Sequence, residues 1–180
     1  MNRATARLLS TLSLALALLA SPRIIADGAR GSQDVALRAA FVYNFAKFTE
    51  WPALPPAAPI RLCVVGAPDI AEAVLETVAG RNINGHALEV AQSPAPADWQ
   101  ACHLLFLAQE AAAQASARLT AIRSLPVLTV SDSKGFARSG GMVELYVESG
   151  RMRFAINVTL AERAGLRLSS RLIGLARVVQ

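Results

Sequence analysis

Histidine and cysteine are scarce in this 180-residue chain, two of each. His103 directly follows Cys102, and successive side chains on a strand point to opposite faces. A zinc site needs three or four convergent ligands, so no metal is expected, and no motif calls for a cofactor. There is no G-x-S-x-G elbow to present a nucleophile. Ser131-Asp132-Ser133 closes an expected strand, where open α/β sheets carry their sites, but Asp and Ser are also ordinary turn residues. Glu144 and Glu148 share one face of an expected hairpin, where carboxylates discourage edge pairing. Gly140-Gly141, the one double glycine, precedes a strand. It lacks the helix N-terminus that phosphate loops use and reads, with Gly135, as turn geometry. Basic residues are scattered, without adjacent pairs or interleaved aromatics, so no nucleic-acid partner is expected. The residues therefore point away from an enzyme and toward a binding or regulatory module.

Long apolar runs are also scarce, and the one present is instructive. Arg3 and Arg7 precede an uncharged stretch, Leu8–Ala20 (LLSTLSLALALLA), which Ser21-Pro22 ends. A basic start, a short apolar run and a small-residue exit describe a secretory signal peptide. The stretch falls short of the ~20 apolar residues that span a bilayer. Cleavage is expected at Ala20, with Ala26 as the alternative. Arg3 and Arg7 are not adjacent, so the twin-arginine route is not indicated, and no cysteine near the cleavage site invites a lipid. Removing residues 1–20 takes two of the 18 basic side chains and none of the 13 acidic ones, leaving a net charge of +3. The remainder fits one domain, placed at residues 34–180.

Within it, Asp34–Glu50 carries Leu37, Phe41, Phe45 and Phe48 at helical spacing, with Asp34 as a cap and Trp51-Pro52 as the stop. Residues 53–59 form a proline-rich connector. Apolar runs at 60–66, 102–107 and 126–130 and a weaker alternating one at 86–92 read as strands. Residues 69–79, 109–123 and 159–164 read as helices. Met142–Glu148 and Met152–Val158 flank Ser149-Gly150-Arg151 as a β-hairpin. Leu168–Val179 reads as a closing amphipathic helix with Leu172, Leu175 and Ala176 on one face. The expected fold is α/β: a mostly parallel sheet flanked by helices on both faces, with a C-terminal antiparallel hairpin and a closing helix.

In a 2-1-3 strand order Cys63, in the first strand, and Cys102, opening the third, lie on neighbouring strands. Disulfides persist in exported proteins, and two buried free thiols are the other reading.

AAFVYNFAKFTEWP (Ala39–Pro52) resembles the opening motif of the YfiR family of exported bacterial regulators. RLCVVG, ACHLLFLA, PVLTVSD, GFARSGGMVEL, RMRFAIN and AGLRLSSRLIGLARVV follow in the family's order, so the resemblance covers about residues 35–179. It implies a periplasmic α/β protein without catalytic activity. Such a protein represses an inner-membrane diguanylate cyclase by binding its periplasmic portion, which limits cyclic di-GMP and biofilm. It also implies an OmpA-like outer-membrane lipoprotein that sequesters the repressor, a homodimer, and a disulfide whose matching pair is Cys63–Cys102. A second cysteine pair found in some members is missing here.

The resemblance does not fix a contact surface. Exposed aromatics are the best physical anchors, so Trp51, Trp99, Tyr146 and Phe154 are the candidate partner-binding residues, with core packing as the competing role. Asn44 and Asn157 are expected to cap or satisfy backbone groups. Two other functions are open: a periplasmic small-ligand-binding domain of a sensory system, and a hydrolase using Ser131 or Asp132.

Overall fold

A computed structural model of the chain describes residues 23–180, with side chains from residue 31 onward. The export signal expected at residues 1–20 lies outside the described residues. Contacts divide the chain after Asp34, and the larger unit is Val35–Gln180.

In chain order the helices are α1 (Arg23–Lys47), α2 (Pro68–Val78), α3 (Gln109–Gln114), α4 (Ser116–Ile122), α5 (Val158–Arg163) and α6 (Ser170–Leu175). The strands are β1 (Thr49–Glu50), β2 (Ile60–Val65), β3 (Asn82–Ile83), β4 (His86–Gln92), β5 (Leu104–Leu107), β6 (Leu128–Ser131), β7 (Val143–Glu148), β8 (Arg151–Asn157), β9 (Arg167–Leu168) and β10 (Arg177–Val179). Eight strands form one sheet in the order β10-β8-β7-β6-β5-β2-β4-β3, while β1 and β9 pair separately.

β4, β2, β5, β6 and β7 run parallel, and β8 returns antiparallel against β7. β5 and β6 are buried along their whole length, as parallel strands covered by helices must be. The first long strand lies between the second and third, which is the 2-1-3 order. Alternation assigns the two faces. Leu62, Val64, Leu104, Phe106, Leu128 and Val130 point to a core closed by α1, α2, α5 and α6. Cys63, Leu105 and Leu107 point the other way, toward Trp99, Ala112, Leu119 and Ile122. The Ser149-Gly150 turn has positive φ at both residues (51° and 71°) between the paired Glu148 and Arg151, the geometry of a two-residue type I′ hairpin.

Four local expectations are corrected. The first helix begins before Asp34, so Asp34 is not its cap. Its buried stripe is Ala39, Val42, Phe45 and Ala46, while Leu37 is 42% exposed. Phe41, Val42, Tyr43, Phe45 and Phe48 are apolar almost all round the helix, so periodicity alone does not choose the inward face. The 109–123 helix is two helices broken at Ala115 (φ −96°, ψ 0°). The closing helix ends at Leu175. Gly174 weakens a six-residue helix, and the β-prone Arg177–Val179 pairs instead with Ala155–Asn157 of β8. Asn84-Gly85, both at positive φ, turns β3 into β4. Asn-Gly is a hairpin signal in the sequence, but β3 is only two residues long and leaves no alternating run before it.

Candidate functional site

Phe41, Phe45 and Phe154 form a three-ring cluster where α1 crosses β8. Phe45 and Phe154 meet edge to face at 5.2 Å between centroids, and Phe41 stands 5.8 Å from each. Such edge contacts add to plain area burial. The cluster is the base of a groove of about 230 Å³ between α1 and α6, completed by Phe48, Leu172 and Leu175 and edged by Asn44 and Arg171. Leu175 is 70% exposed, the most exposed large apolar side chain among the described residues. Leu37 continues the stripe one turn before Phe41. The groove is therefore an apolar surface with a cationic edge. Phe154 is the one sequence candidate in it. The rest was hidden because α6 arrives from the far end of the chain.

The other candidates lie apart. Trp51 is 7% exposed and its indole Nε1 donates to the His103 carbonyl at 3.2 Å. Trp99 is 4% exposed and its Nε1 donates to the Pro94 carbonyl at 3.3 Å. Both indoles are held inside their own chain. Tyr146 is half-buried, with the Arg177 guanidinium 5.1 Å from its ring centroid. Arg177 in turn donates to Glu148 at 2.7 Å.

His103 stands edge-on to Trp51, and its Nδ1 accepts the Arg61 backbone N–H at 3.0 Å. That bond fixes the neutral tautomer with the proton on Nε2. Burial, and to a lesser degree nearby His86, hold the ring below the ordinary histidine value. Cys63 and Cys102 are joined as a disulfide, with Cα atoms 5.9 Å apart. Both are buried under the Trp99 side of the sheet.

At the strand ends, Ser131 is fully buried and its hydroxyl accepts from the Ser133 N–H at 3.0 Å. Asp132 faces Arg38 at 3.6 Å. These contacts give both residues structural work. Glu144 accepts from the N–H groups of Gly135 (2.9 Å) and Ala137 (3.3 Å), pinning the loop after β6. Asn157 caps α5 through Leu160 N–H, and Asn44 donates back to the Ala40 carbonyl. Among the described residues no three His, Cys, Asp or Glu side chains gather as a metal group, and no helix is long and apolar enough to cross a membrane.

Residues 35–177 match the family model DUF4154, described as YfiR/HmsC-like. The chain belongs to the YfiR/HmsC-like family. The matched region of this YfiR-like chain takes in both walls of the aromatic groove and the disulfide. Its fold is similar to the crystal structure of a conserved domain protein from Vibrio cholerae O1 biovar eltor strain N16961, with a TM-score of 0.54 at 13% identity. The alignment covers 81% of this chain, and the chain spans 60% of that protein's length. At that identity the likeness speaks for the fold. No curated protein matches the sequence.

Proposed function

We propose that the protein is an exported periplasmic regulator that binds and represses an inner-membrane diguanylate cyclase, limiting cyclic di-GMP and biofilm formation. It acts by binding and not by catalysis. The observation that carries this reading is the YfiR/HmsC-like match over residues 35–177. The aromatic groove supplies a surface suited to it. A protein partner inserts an apolar side chain between Phe41, Phe48 and Leu175, and an acidic neighbour meets Arg171. Well-packed aromatic pockets with a charged rim are where interface energy concentrates. Tyr146, at the Arg177 corner, is a secondary contact. An OmpA-like outer-membrane lipoprotein competes for the repressor, and the working unit is a homodimer.

The test is genetic. Deleting the gene should raise cyclic di-GMP and surface attachment, and the full-length gene should reverse both. A version lacking residues 1–20 should not, because it stays on the wrong side of the membrane. Unchanged cyclic di-GMP on deletion, in cells shown to express the protein beforehand, sinks the reading.

A further inference from the structure

On the opposite sheet face from the aromatic groove, a cavity of about 270 Å³ opens between α3–α4 and the loop after β6. Most of the helical wall comes from α4, which runs back toward the start of β6, so the cavity lies along the sheet face between the α3–α4 crossover and the β6–β7 loop.

The lining has a definite chemistry. Arg123 and Lys134 supply two positive charges. Ser116, Thr120, Ser133 and Ser139 supply hydroxyls, and Phe136 and Leu119 an apolar floor. No carboxylate lines the cavity. Neither Arg123 nor Lys134 takes part in the Arg38–Asp132 or Arg177–Glu148 ion pairs.

The Gly140-Gly141 pair, which offers no helix N-terminus to a phosphate, shapes this cavity in another way. A Cβ at Gly140 would lie 2.6 Å from Nη2 of Arg123, so the glycine lets the guanidinium lie against the loop backbone. A Cβ at Gly141 would lie 2.1–2.5 Å from three ring atoms of Phe136, so that glycine lets the ring form the floor. The double glycine thus seats both the cation and the apolar surface.

We propose that this cavity is a binding site for a small phosphate monoester carrying a compact apolar group. A phosphate monoester bears about −1.5 to −2 charges near neutral pH and three strong acceptor oxygens, which suits two cations and several hydroxyls in a lining without a carboxylate. A monocarboxylate would leave one cation uncompensated. Arg123 offers the planar fork suited to two phosphate oxygens, and Lys134 a mobile point charge. The apolar group rests on Phe136 and Leu119. The site is independent of the partner-binding reading, because the two surfaces lie on opposite faces of the sheet.

Calorimetric titration of the mature protein with phenyl phosphate, and with benzoate at equal ionic strength, tests this. Saturable binding of phenyl phosphate is expected, with benzoate at least about ten-fold weaker. Arg123→Ala and Lys134→Ala, both at exposed positions, should each weaken phenyl phosphate binding by about ten-fold or more while circular dichroism and melting temperature are retained. No saturable binding, binding unchanged in both variants, or benzoate bound as tightly as phenyl phosphate would overturn the proposal. Each of these readouts is separate from cyclic di-GMP, so it can fail while the regulatory reading stands.

Discussion

Replacing Cys63 and Cys102 together by alanine removes the tie that holds the Trp99 turn onto β2. The bond closes a separation of 39 residues that contains α2, β3, β4 and the Pro96–Ala101 turn. In the chain-entropy relation, a loop of that length restricts the unfolded chain by about 4 kcal/mol. Alanine is the right replacement, because a serine hydroxyl buried there would lack partners and add a separate penalty. For a domain of this size, 1 kcal/mol moves the melting temperature by about 2–4 °C. The double variant should therefore keep its native circular dichroism and melt roughly 8–16 °C lower. Both sulfurs are buried, so reductant should reach them only through opening of the fold. Thiol labelling after dithiothreitol treatment should stay low in native buffer and become complete in denaturant. A melting shift within about 2 °C of zero, or rapid reduction of the native protein, would refute the assignment of this bond as a structural one.

His103 gives a pH dependence. Its folded pKa lies below the ordinary 6.5, chiefly through burial. The neutral ring's contribution is therefore complete above pH 6.5 and is lost as pH falls through the lowered folded value. The denaturant midpoint should drop as pH falls below about 6.5, and the drop should shrink in His103→Asn. Asn157→Ala removes the α5 cap and the Nδ2 donation to the Ala137 carbonyl. It should lower unfolding free energy by about 1–2 kcal/mol in urea titrations. Gly141→Ala drives a methyl into the Phe136 ring and should destabilise by about 1–3 kcal/mol, measured by melting temperature, whereas alanine at open Gly31 should not.

The layered α/β order was readable from the chain because it is written in local terms. LCVV, LLFL and VLTV are short, largely apolar, β-prone runs, the mark of strands covered on both faces. Ser149-Gly150 announces its own turn. The 2-1-3 order then brings Cys63 beside Cys102. What the residues did not disclose depends on distant partners. α1 is apolar around most of its circumference, so the neighbour Phe154, more than a hundred residues away, decides which stripe is covered. β10 and the β1–β9 pair are two or three residues long and exist because a remote strand accepts their hydrogen bonds. The groove and the phosphate cavity share this origin. Phe41 with Leu175, and Arg123 with Gly140, become neighbours only in the folded chain. The tryptophans show the converse: a large aromatic near a proline suggests an anchor, yet both indoles find carbonyls within the chain.

The central claim is direct repression through the aromatic face. Isothermal titration of the mature protein against the purified periplasmic segment of each membrane-bound diguanylate cyclase of its host tests it most directly. The account predicts saturable binding to at least one segment, weakened by about ten-fold or more when the exposed groove residue Leu175 becomes aspartate. Absence of binding to every segment by the folded, disulfide-bonded protein, or full binding by Leu175→Asp, would contradict it.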